Sequence, residues 1–223
     1  MSVDVGPLFL SSMKQKTAIM IDGGFLRKRL FSKPGNFPTA ATIRDFAHGI
    51  LRSKHEELFR IYYYDCMPFS QTVIHPLTGK KIHYGQSDAY IRGKLLIDEL
   101  KKCDYFAVRE GFLSYNGDLS LRRQAIREIK KTKRSVKAED LKLELKQKGV
   151  DIKIGLDLSW LSSKKLVDKI ILVGGDADFI PAMKHARREG VIVVLVTLGS
   201  RNINPNMVIH CDEYREVNTP LFR

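Results

Sequence analysis

Five aspartates carry the chemistry this sequence can offer. Asp22 closes the apolar run 17–22 (TAIMID), just before Gly23 and Gly24. Asp176 and Asp178 follow the run 170–173 in GGDADF, and Asp151 follows KGV at the head of a helical stretch that also holds Asp157. If the apolar runs are strands of one parallel sheet, their ends meet at one rim and the carboxylates converge. Two carboxylates about 4 Å apart repel by roughly 4 kcal/mol at an effective dielectric near 20. Three or four together need a proton, a basic partner or a metal. Hard oxygen donors favour Mg2+ or Mn2+. Such an ion activates water and stabilises charge on a phosphate during transfer, which is the chemistry of phosphodiester cleavage.

Each acid also has a plainer reading. Asp178 could cap a helix beginning at Phe179, and Asp151 a helix over 152–162. Asp157 is six residues from Asp151, about 240° around a helix, and is either a rim ligand or a solvated polar residue. Asp22 has little structural purpose as a charge ending an apolar strand, and Asp176 is similar. Gly23–Gly24 and Gly174–Gly175 either admit a phosphate or allow sharp turns. Other sites are unsupported. There is no GxGxxG after the first strand and no GxxxxGK[ST], GxSxG or HExxH. His48, His55 and His185 read as surface or packing residues. His75 and His83 form a site only if their loop folds over the rim. Cys66, Cys103 and Cys211 are widely spaced without CxxC, so neither a disulfide framework nor a cysteine zinc site is indicated.

The elements that must position the acids alternate. Strands are expected at 17–22, 58–65, 105–113, 169–174 and 190–198; helices are expected at 39–54, 88–103, 136–148, 151–162 and 179–189. The pattern predicts an α/β fold, an open doubly wound, mainly parallel sheet flanked by helices, with its ligand site at the strand carboxyl ends. Residues 66–87 read as a long loop, and 114–135 open with an Asn-Gly turn and become basic. The expected organisation is one domain over 17–217, with that loop and a basic insertion at 114–148, between tails at 1–16 and 218–223.

Charge points to a polyanionic partner. The 223 residues carry a net +13, and residues 121–148 alone hold eleven Lys/Arg against four Asp/Glu. Arg122, Arg123, Arg127, Lys130, Lys131, Lys133 and Arg134 are too dense to bury. If 121–133 is helical, Arg123, Arg127, Lys130, Lys131 and Arg134 share a positive face that can track phosphates; the other reading is a solvated insertion. At 43% hydrophobic residues the chain can bury a core. No apolar run approaches the roughly 18–20 residues of a membrane span. Asp4 and the breaks at Gly6, Pro7 and Ser11 disfavour a signal peptide. A cytoplasmic protein without membrane partners is expected, and a homo-oligomer is compatible with the sequence.

Four segments together resemble the NYN family, the LabA-like branch of the PIN-like nucleases. They are AIMIDGGFL, KGVDIKIGLDLSWLS, DKIILVGGDADFIPAMKHARREGVIVVLV and NMVIHCDEYREV, with YYYDCMP as a weaker fifth. The resemblance spans about 17–217. It implies a PIN-like, Rossmann-like fold and metal-dependent endoribonuclease activity on RNA. It places metal-ligand roles on Asp22, Asp151 and Asp176, with Asp157 and Asp178 as matched acids. Two positions depart from the family pattern: Gly174 stands where Ser is frequent, and Phe25 where Asn is frequent. These departures motivate an alternative, a catalytically silent RNA-binding or regulatory module. A third reading, a phosphatase-like hydrolase with Asp22 as nucleophile, lacks the DxD it would need.

Overall fold

The computed structural model describes residues 13–31, 37–200 and 202–217. In chain order the first half runs β1 (Gln15–Asp22), α1 (Gly23–Leu30), α2 (Ala40–Gly49), β2 (Glu56–Cys66), β3 (Thr72–Ile74), β4 (Lys81–His83), α3 (Asp88–Leu100) and β5 (Phe106–Leu121). The second half runs α4 (Arg123–Thr132), β6 (Leu141–Lys148), α5 (Val150–Ser163), β7 (Lys169–Val173), α6 (Ile180–Arg188), β8 (Ile192–Val196), α7 (Pro205–Ile209) and β9 (Glu213–Tyr214). Of the tails expected at 1–16 and 218–223, residues 1–12 and 218–223 lie outside the described residues, and Gln15 and Lys16 already belong to β1.

Seven strands form one sheet in the order β6-β5-β2-β1-β7-β8-β9. Only the β5–β6 pair is antiparallel. The mainly parallel, helix-flanked α/β sheet expected from the sequence is the fold. Central strands are covered on both faces, which is why they read as continuous apolar runs. Ala18, Ile19, Met20 and Ile21 of β1 are all fully buried. Ile19 and Ile21 face Leu26 of α1 and the apolar sides of α2 and α3. Ala18 and Met20 face α5 and α6.

Three local expectations fail for physical reasons. Residues 136–148 are not helical: after a tight 3-10 turn at Ala138–Asp140 they form β6. Half-buried Leu141, Leu143 and Leu145 alternate with exposed Lys142, Glu144 and Lys146. That period of two outweighs the helix propensity of the same residue types. Asn116–Gly117 does not turn the chain. It lies inside β5 where the register breaks between Tyr115 and Leu119, with Gly117 at φ +91°, as in a β-bulge. The loop at 66–87 contains the small β3–β4 hairpin.

The basic insertion is therefore an arm. β5 pairs with β2 up to Gly111 and with β6 from Phe112 onwards. The two-stranded ribbon continues past the carboxyl rim of the sheet and carries α4 at its far end. Phe69 packs edge-on against Tyr84 and Tyr115, with ring centroids 5.6 and 5.5 Å away. His75 Nε2 lies 3.1 Å from the Ala138 carbonyl, and His83 Nδ1 lies 2.8 Å from the Thr72 hydroxyl. Both histidines thus brace the arm and its hairpin and do not bond the aspartates. Lysines along β6 also discourage another strand from pairing with this edge.

The opposite end of the sheet is tied by buried charges. Glu56 accepts from Lys169 Nζ at 2.9 Å and from Arg215 at 2.7 and 3.1 Å. Glu56, Lys169 and Arg215 are 1%, 7% and 5% exposed. They join the start of β2, the start of β7 and the chain after β9. Burial pushes the Glu56 carboxyl up, but bonds from Arg215, the Arg52 N–H and Lys169 outweigh it and hold the pKa at about 2. Glu56 therefore contributes stability above its ordinary titration range, and that contribution is lost as pH falls towards about 2. Glu56→Gln should destabilise the fold by about 3–5 kcal/mol at neutral pH, because Lys169 and Arg215 lose their buried counter-charge. Chemical denaturation should show this gap narrowing as the medium is acidified; equal stability of variant and wild type at neutral pH would contradict it.

Candidate functional site

The chain leaves β1 and β7 in opposite directions. From β1 it passes through α1 and α2 on one face to β2. From β7 it passes through α6 on the other face to β8. Such a topological switch opens a crevice at the strand carboxyl ends. Asp22 ends β1, and Asp176 lies three residues beyond Val173 of β7. Asp151 sits in the first turn of α5. All three line one open recess of about 450 Å³, together with Phe25, Arg27, Lys28 and Gln147.

Each acid is fixed by its backbone. Asp22 Oδ1 accepts from the Phe25 N–H at 3.0 Å and caps α1. Asp176 Oδ1 accepts from the Asp178 N–H at 3.0 Å and caps a 3-10 turn at Ala177–Phe179. So Asp22 and Asp176 have structural purpose after all, each through one oxygen. Asp178, for which capping was the plainer reading, makes no capping bond to α6. Asp151 makes none to α5. The chain enters α5 through Gly149 at φ +82°, a left-handed conformation that side-chain-bearing residues avoid. This glycine swings the chain from β6 into α5 and places Asp151 over the crevice. Asp178 lines an adjoining recess that it shares with Asp151.

Convergence shows in the electrostatics. Burial pushes the Asp22 carboxyl above its ordinary range; the Phe25 N–H pulls it down and the charge of Asp151 pushes it up again. Asp151 is also raised, first by loss of hydration, then by the charges of Asp176 and Asp178. Asp151 therefore stands between Asp22 on one side and Asp176 and Asp178 on the other.

Asp157 does not join them. Its carboxylate is buried, accepts from Arg109 Nε and Nη2 at 2.7 and 2.6 Å, and accepts from the Tyr64 hydroxyl at 2.9 Å. It is neither a rim ligand nor a solvated residue; the turn of α5 between Asp151 and Asp157 carries it towards β2 and β5. The glycine pairs also resolve. A Cβ on Gly23 would stand 2.6 Å from the Tyr63 ring, and one on Gly175 would stand 2.7 Å from the Phe25 ring. Close packing against side chains demands these glycines. Phe25, where a polar residue is frequent in the family it resembles, rests against Gly175 and forms part of the recess wall.

The sequence reading missed Arg27, Gln147 and Asp65. Arg27 Nη2 donates to Asp65 Oδ1 at 2.9 Å, and Nη1 donates to the Tyr63 hydroxyl at 3.3 Å. Asp65 is 2% exposed near the end of β2. The available signal was the acid at the end of YYYD, and Arg27 one turn into the helix after Asp22. Gln147 had no signal, because residues 136–148 read as a helix. Of the basic residues, Arg123, Arg127, Lys130 and Lys131 are exposed on α4, with Arg122 and Lys133 exposed beside it. Arg134 instead pairs with Asp140 at 2.6 Å and Glu128 at 3.1 Å, which withdraws it from the free positive face.

Three carboxylates around one recess form a hard donor set. No group of three His, Cys, Asp or Glu among the described residues is placed to hold an ion by itself. The arrangement suits a cation that keeps several waters and takes one or two carboxylates directly, as Mg2+ does.

The NYN domain family model matches residues 79–218, more than half of the chain. The match contains Asp151, Asp157, Asp176 and Asp178; Asp22 precedes it and reaches the same recess through β1. A crystal structure of a protein of unknown function from Vibrio parahaemolyticus RIMD 2210633 is similar, with TM-score 0.50 and 16% identity over 98% of this chain and 97% of that one. At that identity the likeness concerns the fold alone. No curated protein matches.

Asp22→Asn tests the convergence of charge. Asn is as good a cap as Asp, so α1 keeps its acceptor and loses only a desolvated, repelled charge. A carboxyl whose pKa is raised by folding opposes the folded state once it ionises. Without divalent ions, the melting temperature of the variant at neutral pH should equal or exceed that of the wild type. The advantage should vanish as acid protonates wild-type Asp22. A variant less stable at neutral pH than at acidic pH, relative to wild type, would show that Asp22 is not under repulsion.

Proposed function

Since this chain belongs to the NYN domain family, we propose that it is a metal-dependent endoribonuclease. NYN domains have a PIN-like nuclease fold, generally bind RNA and typically use divalent metals. One observation carries the reading: Asp22, Asp151 and Asp176 come from three separate segments to line one recess, and the carboxyls of Asp22 and Asp151 are both raised. Mutually repelling carboxylates at the rim of a strongly basic protein suit a cation and a polyanion together.

In this reading Asp22 and Asp176 offer the ion the oxygens not used in capping, and Asp151 faces them from α5. Bound there, Mg2+ or Mn2+ would supply water activation and charge neutralisation at the scissile phosphate. The chain's own residues do the rest. The caps hold Asp22 and Asp176 in fixed rotamers. Asp178, beside Asp151, orients water or a second ion. Arg27, oriented by Asp65 and Tyr63, and Lys28 put positive charge on the recess wall, where a phosphate oxygen can be held. Asp157 has no part in the reaction; it secures α5 to β2 and β5. The RNA backbone is gripped by α4 and by the lysines of β6. No helix among the described residues is long and apolar enough to cross a membrane, and a cytoplasmic setting agrees with the unpaired cysteines.

Labelled RNA incubated with Mn2+ should be cleaved, and chelator should abolish cleavage. Asp176→Asn should reduce turnover at least a hundredfold while RNA binding persists. Binding without cleavage by the wild type would favour the silent RNA-binding module. Wild-type turnover by Asp176→Asn would remove the aspartates from the mechanism.

The basic arm makes a separate prediction. From the Phe112–Lys148 pair to the Leu121–Leu141 pair β6 spans seven residues, the two extra residues of β5 being taken up in its bulge, so α4 sits about 23 Å along the arm from the rim. It should contact phosphates remote from the cut and raise KM more than it lowers kcat when neutralised. Changing Arg123, Arg127, Lys130 and Lys131 to Gln should flatten the slope of log K against log[salt] by about 2–3 units if all four touch phosphate. Titration of labelled RNA at several salt concentrations, in Ca2+ to suppress cleavage, measures it. An unaltered slope would take α4 out of the binding surface.

A further inference from the structure

We propose that the cavity beside the acid recess receives one unstacked nucleobase of the RNA strand, next to the phosphate that the aspartates act on. This rests on the nuclease reading above. The cavity measures about 270 Å³. It lies between the chain leading into α2, the chain leaving β2, and α3. Its buried side is Cys66, Leu96 and Ile97, and its exposed side is Phe37, Arg92 and Gln147.

Three observations define the occupant. First, Arg27 and Gln147 line both this cavity and the acid recess, so a strand with its phosphate in one has its neighbouring base at the mouth of the other. Second, the lining offers the faces on which bases stack. The Arg92 guanidinium lies over the Phe37 ring at 4.4 Å from its centroid, and exposed aromatic and guanidinium planes are the usual partners of splayed bases. The apolar remainder of the lining would reject a phosphate or a sugar, whose polar groups would be left unpaired. Third, the polar groups are poised for a base edge. Asp65 is fully engaged by Arg27, the Tyr63 hydroxyl and the Cys66 N–H. The Gln147 side-chain amide, by contrast, has no hydrogen-bond partner among the described residues. It offers one acceptor and two donors to the edge of a base. A base stacked inside a duplex could not enter, so the site selects single-stranded or looped RNA.

The test uses RNA oligonucleotides that the full chain cleaves in Mn2+, rebuilt with one abasic nucleotide at each position around the mapped cut. One position beside the cut should lose about 5- to 150-fold in kcat/KM when its base is removed, the range of a single base–aromatic stack. Phe37→Ala and Ala89→Trp should reduce kcat/KM on the intact oligonucleotide by a similar factor and add nothing on the abasic one. Ala89 is an exposed wall residue, so the tryptophan fills the cavity without entering the core. An abasic penalty of equal size in wild type and both variants, or no sensitive position at all, would overturn the proposal. The same oligonucleotide pairs titrated in Ca2+ separate the two readings. If no RNA is cleaved but the abasic penalty appears in binding and disappears in Ala89→Trp, the nuclease reading fails and the base site stands. If RNA is cleaved and no such penalty exists in either assay, the base site fails and the nuclease reading stands.

Discussion

The switch in connection between the parallel strands β1 and β7, whose outgoing chains cross to opposite faces of the sheet, is the constraint on which the rest of the structure depends. A parallel strand delivers its carboxyl end, and whatever residue closes it, to one rim. Where neighbouring strands send their connections to opposite faces, no helix covers that rim. Water and ligands then reach Asp22 and Asp176 directly. The opening is also the reason these acids are tolerated. An enclosed group of three carboxylates would be forced to take up protons, whereas an open one remains able to bind a cation.

Capping and charge are coupled at this rim. Asp22 and Asp176 hold the first turns that follow their strands, and those turns hold the aspartates. Oδ1 of each is committed to a backbone N–H, and in the proposed mechanism the other oxygen is the one offered to the ion. A local motif that merely starts a helix thereby sets the orientation of a candidate catalytic carboxylate. The far end of the sheet is organised by the opposite logic. There Glu56 is fully compensated by Lys169 and Arg215, and the network locks three distant segments together. Uncompensated charge sits where the sheet is open, and compensated charge sits where it is closed.

The positive charge is kept apart from the acids by the arm. Had the cationic residues of α4 been packed against the rim, they would have neutralised the carboxylates, as Arg109 does for Asp157. Carried out along β5 and β6, they can hold a polyanion without competing for the acids. Arg27 is the exception, and Asp65 engages it. Its guanidinium can stand close to Asp22 without being consumed by it, and it joins the acid recess to the neighbouring cavity.

The sequence by itself determined the sheet and the acids at its rim. Short, continuous β-branched runs bounded by glycine read as strands buried on both faces, and their alternation with amphipathic helices predicts a doubly wound sheet. Asp22, Asp151 and Asp176 could be named because strand ends and helix starts are local features. The weak periodicity of 136–148 and the Asn-Gly pair misled because both are decided by a partner strand: β6 exists only against β5, and Gly117 only breaks a register. Tertiary structure alone decided which acids meet. Asp157 stands in the same helical stretch as Asp151, yet lies on the side of α5 that faces Arg109 and Tyr64, where pairing of its buried carboxylate with the exposed Arg109 removes it from the group. Gln147 and the cavity it shares with Phe37 and Arg92 come from segments more than fifty residues apart, and no local pattern records their meeting. Sequence carries the propensities of short stretches; which charges are neutralised and which remain free depends on long-range neighbours.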